Sequence, residues 1–277
     1  MSRYAALFER MSELRSGALV PFAVLGDPDR DRSVRWIERL IDAGADAIEL
    51  GFPFSDPIAD GPVIQQASQR ALRAGSTVAG CFASIERIRS RHPDLPIGLL
   101  VYANLVVHRG LARFYAEARK SGVDSVLVAD VPLEESEAFS AAAEAADVAP
   151  IMIVPPNASV ERIARIVGQT RGYTYVTTRA GVTGEGAPSD RDLATRIAAI
   201  RAHGAPPPLV GFGISSPADV RYALDAGAAG IIVGSALIRR AAESLDEAAR
   251  YFALLKAATQ SRTHLPTRPR SDAKAGR

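Results

Sequence analysis

The stretch DAIELGFPFSDPIADGPVIQQ, residues 46–66, runs from an apolar strand through a glycine- and proline-rich loop into a helix. Glu49 is the only charged residue within the apolar run of that strand, and a carboxylate in a buried strand is costly unless it is paired or does chemistry. One interpretation of Glu49 is a salt bridge at the strand end. However, Asp46 precedes the strand, and the loop adds Asp56 and Asp60. Two carboxylates in different environments commonly supply the acid and the base of one site.

The same order of strand, loop and helix recurs along the chain after a leading helix at 3–15. The predicted strands are 18–24, 46–50, 97–102, 125–129, 150–154, 173–178, 208–212 and 229–233. The predicted helices are 33–43, 62–73, 78–91, 110–121, 134–146, 159–168, 190–203, 216–226, 235–243 and 246–259. Eight consecutive β–α units need parallel pairing with right-handed crossovers and close into a (β/α)8, or TIM, barrel. A doubly wound open sheet is the alternative, but it rarely carries eight evenly spaced units. The sequence therefore predicts a single α/β barrel with an extra N-terminal helix.

Bulk composition is that of an ordinary globular protein, with 47% hydrophobic and 23% charged residues in 277. The barrel is predicted to occupy residues 1–260 as one catalytic domain, and residues 261–277 are predicted to be a disordered basic tail. The net charge of +2 does not favour a nucleic-acid partner. No apolar run approaches the roughly 18 residues that a membrane helix needs. The single cysteine, Cys81, excludes an internal disulfide and fits a reducing cytoplasm.

Glycine-rich loops follow the last three predicted strands. They are AGVTGEG (180–186), GFGISSP (211–217) and GSALI (234–238). Glycines before a helix N-terminus let backbone N–H groups approach an anion, and this end of a barrel frequently holds a phosphate. Each loop alone could be a tight turn, but two of them at the expected strand ends predict a phosphate site.

The same strand ends carry no lysine for a Schiff base, and the histidines show no metal-ligand spacing. The residues therefore predict a barrel enzyme without a metal or cofactor. Its substrate would be a small phosphorylated molecule, and carboxylates would act as acid and base.

Seven motifs of this chain resemble those of the α subunits of tryptophan synthase over about residues 1–260. The motifs are PFAVLGDP (21–28), DAGADAIELGFPFSDPIADGPVIQ (42–65), GLLVYAN (98–104), GVDSVLVADVPLEE (122–135), RAGVTG (179–184), GFGISSP (211–217) and AGAAGIIVGSA (226–236). The resemblance implies retro-aldol cleavage of indole-3-glycerol phosphate to indole and glyceraldehyde 3-phosphate, a carbon–carbon lyase reaction. It also implies an α2β2 heterotetramer whose β subunit holds pyridoxal phosphate and makes tryptophan from indole and serine.

The resemblance also implies roles for individual residues. Glu49 would carry the protons of the reaction, and Asp60 would accept the indole N–H. Tyr175 would orient Glu49 or the glycerol chain, and Thr183 would hydrogen-bond Asp60 when the loop after the sixth strand closes. The apolar pocket would comprise Phe22, Leu100, Leu127, Ala129, Ile153 and Phe212, and the phosphate would lie among Gly184, Gly213, Gly234 and Ser235.

By the same resemblance, the segment Pro53, Phe54, Ser55, Asp56 and Pro57 should face the β subunit. The sequence departs from the family pattern at Val24, at Thr178 and in the short loop 184–190, none of which removes a catalytic group. Two alternatives stay open. One is a stand-alone lyase that releases indole without a β subunit, and the other is a non-catalytic phosphate-binding regulatory subunit.

Overall fold

Parallel strands alternate with helices in the computed structural model, which describes residues 2–178, 190–211 and 213–260. The strands are β1 (Ala18–Val24), β2 (Ile48–Gly51), β3 (Ile97–Val101), β4 (Ser125–Val128), β5 (Ala149–Ile151), β6 (Ile153–Val154), β7 (Thr174–Thr177), β8 (Pro208–Gly211) and β9 (Gly230–Val233). The helices are α1 (Arg3–Glu13), α2 (Arg30–Asp42), α3 (Pro62–Arg73), α4 (Val78–Arg91), α5 (Ala103–Arg109), α6 (Leu111–Ser121), α7 (Glu137–Ala145), α8 (Val160–Gln169), α9 (Asp190–Ala202), α10 (Pro217–Asp225), α11 (Ser235–Glu243) and α12 (Leu245–Thr259).

The strands close into a barrel. Their order is β5-β4-β3-β2-β1-β9-β8-β7-β6, and all of the pairings are parallel. The predicted strand 150–154 is divided at Met152 into β5 and β6. Because β5 pairs with β4 and β6 pairs with β7, the two ends of the order meet in this one stretch of chain. The predicted α/β barrel with an extra N-terminal helix is confirmed.

Two helix predictions are wrong in detail, and one helix was not predicted. The helix predicted at 33–43 begins at Arg30, because the Asp29 side chain accepts from the Arg32 N–H at 2.9 Å and caps a turn that carries no apolar signal. The helix predicted at 110–121 is present as α6, but the helix before it, α5, was not predicted. Gly110, at a φ of +84°, separates the two. The helix predicted at 134–146 is divided into a 3-10 turn, Leu133–Glu135, and α7.

Alternate residues of β1 belong to two different apolar layers. Leu19 and Ala23 belong to the layer between sheet and helices, whereas Val20 and Phe22 belong to the barrel interior. Helix α1 adds its buried face to the interior layer through three buried side chains, Tyr4, Leu7 and Met11. Burial of a Leu or Met side chain contributes about 1.5–3 kcal/mol, so α1 is held to the barrel by its apolar face.

Two aspartates connect neighbouring strands where the strands begin. Asp46 Oδ2 accepts from the Leu19 N–H at 2.8 Å and forms an ion pair with Lys256. Asp124 Oδ2 accepts in the same way from the Ile97 N–H at 2.8 Å. Asp46 therefore lies at the beginning of β2 and joins strands, whereas the loop that contains Asp60 follows the end of that strand.

We expect Asp46→Ala to lower the free energy of unfolding by about 2–4 kcal/mol, because the Leu19 N–H and the Lys256 ammonium group would both lose a buried partner. Urea unfolding measures this change. Asp31→Ala is the matched control, since Asp31 forms a 3.0 Å ion pair with Arg87 on the surface. The control should change stability by less than about 1 kcal/mol. Equal losses in the two variants would contradict a structural role for Asp46.

Candidate active site

The carboxyl group of Glu49 is buried in the barrel, and the residue is 1% exposed. The Tyr173 hydroxyl donates to Oε1 at 2.8 Å, while Oε2 is buried without a hydrogen-bond partner among the described residues. Glu49 thus forms no salt bridge within the described chain, which removes the first interpretation of this residue. Burial raises the pKa of Glu49 to about 7; the Tyr173 hydrogen bond opposes this rise and the charge of Asp60 adds to it. A carboxyl group with this pKa can both give and take a proton near neutral pH.

Asp60 is the second buried carboxyl group and lies at the end of the loop between β2 and α3. It is 6% exposed, and the Tyr102 hydroxyl group lies near enough to its carboxylate to affect its ionisation. The Gln65 side chain donates to the Asp60 carbonyl oxygen at 2.8 Å, which fixes the backbone at this point. Burial raises the pKa of Asp60 to about 6, and the nearby Tyr102 hydroxyl group opposes the rise. Between the two pKa values, Asp60 is mostly ionised while Glu49 is mostly protonated.

Tyr175 shares the electrostatic environment of both carboxyl groups. Burial, then Glu49, then Asp60 raise the pKa of Tyr175 well above its usual value. The ring fits closely over β8, because a Cβ at position 211 would lie 2.1 Å from the Tyr175 hydroxyl oxygen. Glycine at position 211 is therefore what allows this tyrosine to lie beside the carboxyl groups.

The apolar residues predicted for the pocket surround the same interior. Phe22 lies opposite Glu49 in the β1–β2 register, and Phe22 and Leu127 are buried in the interior layer. Leu100, Ala129 and Ile153 are partly buried and pack against that layer. An apolar wall around a few polar groups is typical of a small-molecule site. Phe212, also predicted for this wall, lies outside the described residues.

The predicted phosphate loops are described in part. Gly234 and Ser235 lie at the beginning of α11, which has no acidic residue in its first turn and no side-chain cap at Gly234, so this helix end can attract an anion. Gly213 has a φ of +78°, a conformation that favours glycine. Thr183, Gly184 and the whole loop 180–186 lie outside the described residues. The phosphate site therefore stays a prediction.

The segment predicted to face a partner is largely exposed. Pro53 is buried, Phe54 and Pro57 are half-buried, and Ser55 and Asp56 are exposed. The neighbouring Ile58 is 73% exposed, which is unusual for a large apolar side chain. The segment is accessible from solvent, and its contact with a partner stays a prediction.

Two tyrosines of the site were not predicted from sequence. The Tyr173 hydroxyl group donates to Glu49, and the Tyr102 hydroxyl group lies near the Asp60 carboxylate. Tyr173 and Tyr175 both belong to the interior layer. Their i, i+2 spacing was the sequence signal that could have identified Tyr173, because alternate residues of a strand face the same side. Tyr102 directly precedes α5, and nothing in its local sequence identifies the groups that its hydroxyl contacts.

Metal-binding groups of three or more His, Cys, Asp or Glu side chains are absent from residues 2–178, 190–211 and 213–260. Across those residues, no helix is both long enough and apolar enough to span a membrane.

Comparison with known proteins identifies the family. Residues 8–265 match the family model described as tryptophan synthase alpha chain. The chain is 52% identical over 260 residues to the tryptophan synthase alpha chain of Escherichia fergusonii, which covers 94% of this chain and 97% of that protein. An Escherichia coli tryptophan synthase alpha chain shows the same identity and coverage.

Solved structures agree with this assignment. Tryptophan synthase from Mycobacterium tuberculosis superposes with a TM-score of 0.87 at 30% identity, covering 94% of this chain and 98% of the other. Tryptophan synthase subunit alpha from Legionella pneumophila gives a TM-score of 0.84 at 29% identity, with 94% and 98% coverage. The chain therefore belongs to the tryptophan synthase alpha chain family.

Proposed function

We propose that this chain is a carbon–carbon lyase that cleaves indole-3-glycerol phosphate into indole and glyceraldehyde 3-phosphate. The observation that carries the proposal is the pair of buried carboxyl groups, Glu49 and Asp60, whose pKa values are raised to about 7 and about 6. Glu49 Oε2 has no hydrogen-bond partner among the described residues, so one oxygen is available for proton transfer. Membership of the tryptophan synthase alpha chain family supports the same reaction.

Protonation of the indole ring is the first step. Protonated Glu49 gives its proton to C3, and the ring becomes a cation with the positive charge largely on its nitrogen. Ionised Asp60 accepts a hydrogen bond from the indole N–H and stabilises that charge. The order of the two pKa values supports these protonation states.

Cleavage of the carbon–carbon bond follows. Ionised Glu49 takes the proton of the 3′-hydroxyl group, and the oxygen electrons form the carbonyl group of glyceraldehyde 3-phosphate. The electrons of the broken bond restore the aromatic indole and neutralise its nitrogen. Glu49 ends protonated, so the cycle neither consumes nor releases a proton.

The remaining predicted residues bind and orient the substrate. Tyr175 orients Glu49 or the glycerol chain, and Phe22, Leu100, Leu127, Ala129, Ile153 and Phe212 hold the indole ring. Gly184, Gly213, Gly234 and Ser235 hold the phosphate, and Thr183 bonds Asp60 on closure of its loop. The apolar surroundings of Phe22 and the beginning of α11, which has no acidic residue in its first turn, support these roles.

The family implies a β-subunit partner for this chain. We propose an α2β2 assembly in the cytoplasm, in which the β subunit holds pyridoxal phosphate and this chain contributes no cofactor. Pro53, Phe54, Ser55, Asp56 and Pro57 form the contact with it, which the exposure of Ser55, Asp56 and Ile58 supports. In this assembly, residues 1–260 form the catalytic barrel, and the tail predicted at residues 261–277 lies outside the described residues.

Indole release is the measurement that decides among the functions. The purified chain is assayed with indole-3-glycerol phosphate, alone and with a tryptophan synthase β subunit. We expect indole release that rises when the β subunit is added. Full activity without any response to the β subunit would favour a stand-alone lyase, and no release under either condition would favour a regulatory subunit.

The carboxyl group of Glu49 should be essential for turnover. We expect Glu49→Gln to lower kcat by about 10²- to 10⁴-fold or more while the substrate still binds, because the amide cannot transfer the proton. Stopped-flow or calorimetric binding separates affinity from turnover. Glu144→Gln is the matched control, since Glu144 pairs with Arg171 at 3.0 Å on the surface and should keep wild-type kcat. Turnover near wild type in Glu49→Gln would refute the proton role.

The pH dependence should follow the two carboxyl groups. We expect kcat/KM to rise through about pH 6 as Asp60 ionises and to fall above about pH 7 as Glu49 loses its proton. The Tyr173 hydrogen bond lowers the pKa of Glu49, so Tyr173→Phe should move the alkaline limb to higher pH and leave the acid limb in place. Tyr115→Phe, a change at another buried tyrosine, should leave both limbs in place. An unchanged alkaline limb in Tyr173→Phe would show that another group controls it.

A further inference from the structure

Tyr4, in the first turn of α1, enters the barrel where the strands begin. The residue is 4% exposed, and its hydroxyl group shares a 2.8 Å hydrogen bond with Ser125 Oγ, at the first residue of β4. Its ring lies against the Tyr173 ring, with centroids 5.3 Å apart and an angle of 55° between the planes. Tyr173 in turn donates to Glu49 Oε1 at 2.8 Å. Two consecutive contacts therefore connect α1 to the Glu49 carboxyl group.

The strand register places the Tyr4–Ser125 hydrogen bond close to Glu49. Glu49 of β2 is paired with Gly98 of β3, and Gly98 is paired with Ser125 of β4. A Cβ at position 98 would lie 3.0 Å from Ser125 Oγ and 3.1 Å from the Tyr4 hydroxyl oxygen. Glycine at position 98 therefore leaves the space in which this hydrogen bond forms.

The Tyr4 ring also fits closely against the turn before β7. Gly172 has a φ of +68°, and a Cβ there would lie 3.2 Å from Tyr4 Cδ2. Tyr173 is the next residue, so its backbone and its ring both lie near the Tyr4 ring. A hydroxyl group lies at the far end of its side chain, so a small rotation of the Tyr173 ring would displace the donor of Glu49. Because hydrogen-bond strength depends steeply on distance and angle, support of that ring matters for the bond.

We infer that Tyr4 is a positioning residue for proton transfer, because its ring, fixed by Ser125, holds the Tyr173 hydroxyl group on Glu49 Oε1. With Oε1 held, the carboxyl group keeps one orientation. Oε2, which has no hydrogen-bond partner among the described residues, is then available to the substrate. The inference rests on the proposed function, since Glu49 carries the protons of that reaction. Tyr4 contacts Tyr173 and no reacting atom in this scheme.

The ionisation of Glu49 reports whether Tyr173 is held in place. The Tyr173 hydrogen bond lowers the pKa of Glu49, so weakening this bond should raise that pKa. Entry of water beside Glu49 would have the opposite effect, because it would reduce the cost of the charged form. The other titratable or charged groups that interact with Glu49 or Tyr4 are Asp60, Tyr175, Asp124 and Arg89.

The first test removes the Tyr4 ring and keeps an apolar side chain. The pKa of Glu49 is measured by NMR on chains with isotope-labelled glutamate carboxyl groups, and its signal is identified by its absence from Glu49→Gln. We expect Tyr4→Leu to raise this pKa, and to move the alkaline limb of kcat/KM to higher pH, by about 0.3–1 pH unit, as for the weakening of one hydrogen bond. Met11→Ala is the matched control, since it removes a buried side chain from the same face of α1 two turns further on. It should leave the pKa and the limb in place.

The second test keeps the ring and removes only the hydrogen bond that fixes it. Tyr4→Phe and Ser125→Ala delete the two ends of that bond, and both are small enough changes to be measured if Tyr4→Leu does not fold. Each should raise the pKa of Glu49. The double variant should raise it no further than the larger single change, because the same bond is lost in all three variants.

A double-mutant cycle with Tyr173 identifies the route of the effect. Tyr173→Phe lacks the hydroxyl group that Tyr4 holds, so adding Tyr4→Phe should change the pKa of Glu49 no further. Additive changes, an unchanged or lowered pKa of Glu49 in Tyr4→Phe, or an equal rise in Met11→Ala would overturn the inference. The titration needs no substrate, so absence of indole release from the wild type with the β subunit would separately overturn the proposed function.

Discussion

Burial of the Glu49 carboxyl group inside the barrel is the constraint on which the candidate site depends. Removing a carboxylate from water costs several kcal/mol, so the group keeps its proton up to a pKa of about 7. Among the described residues it has one hydrogen-bond donor, Tyr173, and no cation as a partner. A closed barrel can supply this environment, because apolar side chains of the interior layer leave Glu49 only 1% exposed and the backbone groups of the strands are bonded within the sheet.

Acidic side chains have different partners at the two ends of the strands. At the beginnings of the strands, Asp46 and Asp124 bind backbone N–H groups and basic side chains, so their charges are compensated and they join the sheet. In the barrel interior and the loop that follows β2, Glu49 accepts from a tyrosine hydroxyl group and Asp60 lies near another. A hydroxyl group compensates a carboxylate less than a cation does, which leaves both pKa values raised. This division agrees with the general separation of stability and activity between the two ends of such barrels.

The loop between β2 and α3 combines two requirements that are usually met by different parts of a chain. Its end must hold Asp60 in a fixed, buried position, while its tip is exposed to solvent. The Tyr102 side chain contacts the loop on both sides of the tip. Its ring stacks on Phe54, and its hydroxyl oxygen accepts from the Ala59 N–H. The rigidity of the ring makes the two contacts interdependent.

The sequence by itself determined the barrel, because alternating apolar strands and amphipathic helices have few other ways to bury their apolar faces. It also identified Glu49 and Asp60, since a charge within an apolar strand and an acid in its loop are visible locally. Only the tertiary structure decided which donors the carboxyl groups have. Tyr173 lies 124 residues from Glu49, so no local pattern relates the donor to its acceptor. Tyr102 likewise lies 43 residues from Ala59, the neighbour of Asp60 whose N–H donates to the Tyr102 hydroxyl oxygen. The division of the strand at Met152 and the role of Asp46 were likewise decided by neighbouring strands, because hydrogen bonds between strands depend on residues that are distant in sequence.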